Sequence, residues 1–197
     1  MRFKLLGTKI HISFLFAAML ALLIITDKSG NFLPFSVAVT LHEIAHLITM
    51  RIVRCNPKEI NLIPASVQIV RDIAARPACE VAISFAGSLM NLCLFMIFYI
   101  FYLIWGNMQV LNFAAINLVL AVFNLLPVKG LDGGVIIYKL LCIKMPHNRA
   151  MLTVDILTVL TAVAFLVLGV CLAFRGGGNF SLIIMAIYLL LSVIIKL

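Results

Sequence analysis

The chain has 197 residues, 64% of them hydrophobic and only 11% charged. A soluble domain of this length is typically about 45–50% apolar, so the composition excludes one and points to an integral membrane protein; the mean hydropathy of +1.21 agrees. The formal net charge of +8 does not indicate a nucleic-acid partner, because Lys and Arg alternate with apolar segments instead of forming one stripe or tail.

Six apolar segments follow in chain order, at about 11–26, 33–53, 78–104, 109–127, 152–174 and 179–195. Each approaches the roughly 20 residues that cross the hydrocarbon core as a helix. The first is preceded by Arg2, Lys4 and Lys9, as a signal peptide would be. "IITDKSGN" after it offers no small-x-small cleavage site, so it reads as an uncleaved anchor. Lys and Arg divide unevenly between the connections. The N-terminus, the second and fourth connections and the C-terminal tail hold thirteen, and the odd-numbered connections hold two. Positively charged connections stay inside, so both termini are expected in the cytoplasm of a multi-pass cell-membrane protein.

The second connection, "CNPKEINLIPASVQIVRDIAARPACE", is too apolar for a plain surface loop. "EINLI" and "SVQIV" are rich in β-branched residues and separated by Pro64-Ala65, the pattern of a short hairpin. At membrane level a hairpin needs its edges buried in protein or lining a wet cavity; the alternative is a hairpin lying on the membrane surface. The expected architecture is all-α and polytopic, six transmembrane helices with a short membrane-level β-hairpin after the second, in one domain over 1–197. The odd number of cysteines (Cys55, Cys79, Cys93, Cys142 and Cys171) and the lack of CxxC read as free buried thiols.

"TLHEIAHLIT", residues 40–49, places three ionisable groups inside the second apolar segment. A charged side chain at the centre of a membrane helix costs about 2.5–3.5 kcal/mol on insertion scales, so these groups mark a function by default. His42 and His46, four apart, share one helix face and can share a metal. Glu43 beside them can reach a metal-bound water, which makes HExxH a zinc site with its general base included. The plainer alternative is a set of hydrogen bonds between helices.

Zinc needs a third protein ligand and an open position. The candidates are Asp27, Glu59, Asp72, Glu80, Asp132, Asp155, His11 and His147. Asp132 follows the end of the fourth segment, which runs in the same direction as the second, and so lies at similar depth. Gly130, Gly133 and Gly134 let the backbone approach closely there. Asp132 is therefore the expected third ligand, and Asp155 a helix–helix polar contact or a water-facing end. Asn117 and Asn124, seven apart, share a face of the fourth segment, and Asn112 is off it. Buried amides there glue helices together or donate to a peptide oxyanion, and the plainer reading is glue.

Together "HEIAH" at 42–46, "FAGSLMN" at 85–91 and "NLVLAVFNLLPVKGLDGG" at 117–134 resemble the site-2 protease family of intramembrane zinc metalloproteases. The insert after the second segment looks most like the branch containing stage IV sporulation protein FB, expected here without the CBS domain that often follows in that branch. The resemblance implies His42, His46 and Asp132 as zinc ligands and Glu43 as the catalytic glutamate. It implies Asn124 as an amide steadying substrate or oxyanion, which displaces the glue reading for that residue. Residues 60–70 match the family's substrate-receiving hairpin, so Val67, Gln68 and Ile69, with Asn117, are the expected substrate contacts. Gly87-Ser88 stands where the family often has Gly-Pro, and Gly130 where it often has Pro.

The expected function is zinc-dependent cleavage of a membrane-associated protein near the cytoplasmic side, of the kind that activates a sporulation-type transcription factor. The expected partners are that substrate and a membrane inhibitor or regulator; an oligomer is compatible with this reading. Two rivals remain. A zinc transporter would use the same ligands, but such proteins build their site between repeats at the midplane, and no internal repeat is visible. A catalytically silent scaffold is opposed by the intact HExxH and Asp132.

Overall fold

The computed structural model describes residues 2–5, 8–12, 27, 30–55, 59–63, 66–70, 76–174 and 181–194. Four strands and six helices lie among them: β1 (Arg2–Leu5), β2 (Thr8–Ile12), α1 (Phe32–Ile52), β3 (Glu59–Ile63), β4 (Ser66–Val70), α2 (Pro77–Trp105), α3 (Met108–Asn124), α4 (Asp132–Cys142), α5 (His147–Phe174) and α6 (Ser181–Ile194). The chain divides into two compact units, Met1–Ala121 and Val122–Leu197.

In the first unit, α1 begins where the Phe32 N–H donates to Asp27 Oδ2 at 2.8 Å, which satisfies one of the N–H groups a helix start leaves open. Ser36, Thr40 and Thr49 each donate their hydroxyl to the carbonyl four residues back. Polar side chains are thus satisfied within an apolar helix. Pro77 opens α2, where a missing N–H costs nothing. Gly106 closes it in the left-handed region at φ 64°, its N–H donating to Tyr102 O. At 1.5 Å per residue, α1 spans about 31 Å and α2 about 43 Å.

β3 and β4 pair antiparallel with Glu59 opposite Val70 and Ile63 opposite Ser66. They do not stand alone. β1 and β2 pair antiparallel, and β2 adds parallel to β3, giving a four-stranded sheet in the order β1-β2-β3-β4. β4 is therefore an edge strand. The sequence pattern at 2–12 gives no reason to expect the first two strands, because it reads as a charged leader to an apolar segment.

Three helices, α1, α2 and α5, are long and apolar enough to cross a membrane; α3 and the Leu182–Leu191 part of α6 are apolar but shorter. The surface agrees with a membrane setting. Leu33, Ile52, Leu103, Ile104, Trp105, Leu160 and Phe174 are among many large apolar side chains left exposed, more than a soluble monomer tolerates. Many of the buried positions are instead small or polar: Ala38, Ala45, Ala114, Ala121, Ala150 and Ala162, with His42, His46, Ser84, Ser88, Asn91, Asn117 and Thr158. That inversion suits helices associating in lipid, where small residues permit close packing and polar ones hydrogen-bond.

In the second unit, α5 packs against both α4 and α6. Val128, Ala162 and Leu189 form its core, with Leu126, Leu131, Phe165 and Leu190 against them. Thr158 Oγ1 accepts from the Lys129 N–H at 2.9 Å and donates to Val154 O at 2.8 Å. The turn after α3 is thereby tied to the middle of α5.

Three expectations need correction or restriction. Residues 11 and 12 of the first apolar segment belong to β2, and 13–26 lie outside the described residues, so that span is not among the helices described. A helix, α4, occupies 132–142 where none was expected; at about 16 Å it is too short to cross the hydrocarbon core. All five cysteines are free, as expected, but Cys93 and Cys171 are exposed and the other three only partly buried. An apolar run in lipid has an apolar outside, so hydrophobicity there does not signal burial.

Candidate metal centre

His42 and His46 lie on the buried face of α1 with Ala38, Ala45 and Met50, the three-to-four spacing of one helix stripe. α2 packs against that face. His46 Nδ1 donates to the carbonyl of Ile83 at 2.7 Å, and Asn91 Nδ2 lies 3.3 Å from His42 Nδ1. The rings meet edge-on, with centroids 4.7 Å apart and planes at 85°. Their Nε2 atoms come within 3.1 Å. Two nitrogens bound about 2.0–2.1 Å from one tetrahedral zinc stand about 3.3–3.4 Å apart, so the pair is nearly in ligating register. Each Nδ1 faces a polar group of α2, the arrangement that orients a metal-binding imidazole.

Gly87 makes this possible. A Cβ built there would fall 2.5 Å from His46 Nε2 and 2.6 Å from His42 Nε2. The histidine nitrogens therefore converge directly against the backbone of α2. Glu43, next along α1, is half-buried.

The second unit carries Asp132 and Asn124. Asp132 starts α4 and is half-buried. The two glycines after it are fully enclosed: a Cβ on Gly133 would strike the carbonyls of Leu125 and Leu126, and one on Gly134 the carbonyl of Val128. The first turn of α4 is thus pressed onto the chain that leaves α3, and a side chain at either glycine would lift Asp132 away from it. Lys129 Nζ and Asp155 Oδ1 form an ion pair at 3.8 Å with side chains 16% and 27% exposed. A partly exposed pair contributes on the order of 1 kcal/mol or less, so Asp155 is a contact to the turn, as its sequence position suggested.

The other expected site residues are less informative. Asn117 is fully buried and donates Nδ2 to Phe113 O on its own helix at 2.8 Å, an arrangement that serves helix packing without naming a substrate. Asn112 donates to Asn31 Oδ1 at 2.6 Å on an exposed surface. Val67, Gln68 and Ile69 lie in β4. Sequence reasoning passed over Ile83, Gly87 and Asn91 as site residues. "FAGSLMN" held the signal for the last two, since a buried Asn at the end of that run needs a polar partner.

No protein-family model matches the chain, and no curated protein does. Among solved structures it resembles the "Site-2 Protease from Methanocaldococcus jannaschii" with a TM-score of 0.71 at 23% identity, over 98% of this chain and 93% of that one. Across nearly its whole length, the chain shares the fold of that site-2 protease.

Proposed function

We propose that this protein is a zinc-dependent intramembrane endopeptidase of the site-2 protease type, in the branch of stage IV sporulation protein FB, acting on a membrane-associated protein. The observation that carries the reading is the convergence of His42 and His46 Nε2 at 3.1 Å within an HExxH helix, with both Nδ1 atoms held by α2. By the HEIAH and LDGG motifs and the family they resemble, His42, His46 and Asp132 are the side chains that would hold the metal. Two imidazoles and a carboxylate are a catalytic zinc set with one position left for water or substrate. When bound, zinc would supply a Lewis acid for the peptide carbonyl and lower the pKa of water toward about 7. Glu43 takes the proton of the attacking water and delivers it to the released amine. In this reading Asn124 donates its amide to the oxyanion, and Asn117, on the same helix, is a further substrate contact. Both termini are cytoplasmic in this reading, and a tethered transcription factor or its anchor is the substrate class it implies.

Metal analysis of the purified chain tests the centre. About one zinc per chain is expected, falling well below half occupancy in His46→Ala and Asp132→Ala. Wild-type protein that binds no zinc would sink the reading. Zinc uptake by reconstituted vesicles, with no cleavage of any co-expressed tethered factor, would favour the transporter instead.

Substrate entry has its own test. A helical substrate has its carbonyls tied up, so it must be extended before cleavage. The edge strand β4 can take an extended piece by strand addition, through backbone groups of Val67, Gln68 and Ile69. Proline cannot donate to a ladder. Val67→Pro or Ile69→Pro should therefore impair cleavage more than Val67→Ala or Ile69→Ala, the full effect falling on whichever N–H faces the open edge. Zinc content measured in each variant separates this from misfolding. Two proline variants that hold zinc and cleave like their alanine counterparts would remove strand pairing from the mechanism.

A further inference from the structure

We infer that Thr158, in the middle of α5, is a positioning residue for the Asp132 carboxylate; the inference rests on the zinc reading above. Thr158 acts through one peptide group, the one joining Val128 to Lys129. Its hydroxyl is fully buried. It donates to Val154 O at 2.8 Å and accepts the Lys129 N–H at 2.9 Å. The first bond alone would satisfy a threonine within a helix. The second joins α5 to a segment 29 positions earlier.

That peptide is held on its other side as well. The Val128 carbonyl accepts the Leu131 N–H at 3.1 Å. It also lies against Gly134, where a Cβ would strike it and come within 3.1 Å of the Lys129 nitrogen. The peptide therefore sits between α5, which holds its N–H, and the first turn of α4, which rests on its C=O. Asp132 is the first residue of that turn. The Val128 side chain packs in the core with Ala162, one turn after Thr158 on α5. Packing of this kind fixes the depth of the segment but not the rotation of a peptide plane. The Thr158 bond fixes the rotation, because an N–H···O bond weakens steeply when bent. Without that acceptor the Lys129 N–H would turn toward another, and the carbonyl under α4 would turn with it. A ligating side chain has to be held within about 0.5 Å of its working position, so a small rotation here reaches the carboxylate.

Zinc affinity by competition with a chromophoric chelator, on the full chain in detergent, tests this. Thr158→Val keeps the shape and removes the acceptor. It should bind zinc about tenfold more weakly, the lower end of the loss when the support of a metal ligand is removed. Thr158→Ser keeps the hydroxyl and should recover most of that loss. Thr161→Val is the control: the Thr161 hydroxyl donates to Leu157 O of its own helix at 2.9 Å, and the variant should bind as wild type does. A double-mutant cycle separates positioning from general support of the fold. In an Asp132→Ala chain, Thr158→Val should cost no further affinity, since it acts through the missing carboxylate. Hydrogen exchange on the unchanged chain guards against misfolding of the variants: the Lys129 amide should exchange as slowly as buried amides of α5. Wild-type affinity in Thr158→Val, no recovery in Thr158→Ser, a full further loss in the Asp132→Ala chain, or rapid exchange at Lys129 would each overturn the inference. Wild-type protein that holds no zinc, or an Asp132→Ala chain that binds it undiminished, would defeat the zinc reading and the inference with it.

Discussion

The Glu43→Gln protein is expected to hold zinc as wild type does and to lose cleavage by about 10²–10⁴-fold, the range general acid–base catalysis supplies. Glutamine keeps the length and polarity of the side chain, so the α1–α2 packing around His42 and His46 has no reason to change. It has no carboxylate to take a proton from water or return one to the leaving amine. Occupancy and turnover should therefore separate, whereas in His46→Ala they should fall together. Cleavage is read on gels after co-expression with a candidate tethered factor, and zinc by metal analysis of the same preparation. Undiminished proteolysis by Glu43→Gln would remove Glu43 from its role, while loss of zinc would show that it shapes the metal centre.

Gly87→Ala is expected to lower zinc affinity by tenfold or more, although it adds a single methyl group. That methyl has three imidazole atoms between 2.5 and 2.7 Å away, closer than real Cβ contacts allow. Either α1 and α2 move apart or the rings rotate out of convergence. Overpacking of this kind costs about 1–3 kcal/mol, and about 1.4 kcal/mol is tenfold in an equilibrium constant. Leu89→Ala, on the exposed side of the same helix, is the matched control and should bind zinc unchanged. Helix content by circular dichroism should be equal in the two variants. Equal zinc affinity in Gly87→Ala and wild type would mean that the rings do not ligate from the positions described.

Much of this architecture was legible from local pattern. The apolar runs at 33–53, 78–104, 109–127, 152–174 and 179–195 correspond to α1, α2, α3, α5 and α6, because a membrane helix announces itself by composition alone. "EINLI" and "SVQIV" coincide with β3 and β4, as β-branched runs around a proline break suggest. The two strands at 2–12 were not legible, since their pairing depends on β3, some fifty positions later in the chain. Nor was α4, which lies in the connection between the apolar segments at 109–127 and 152–174 and is too short to stand out by length.

The sequence by itself determined the membrane class and the HExxH pair, because both follow from composition and the 3.6-residue period within one segment. It also singled out Asp132 and Asn124, through the motif around them. Only the tertiary structure decided what surrounds the histidines. Asn91 meets His42 across 49 positions, and Ile83 meets His46 across 37. Such contacts have no local signature: Gly87 and Asn91 look like ordinary packing residues until α2 is laid against α1. The physical reason is that helix periodicity fixes which face a residue occupies, whereas the group opposite that face depends on how two separate helices pack.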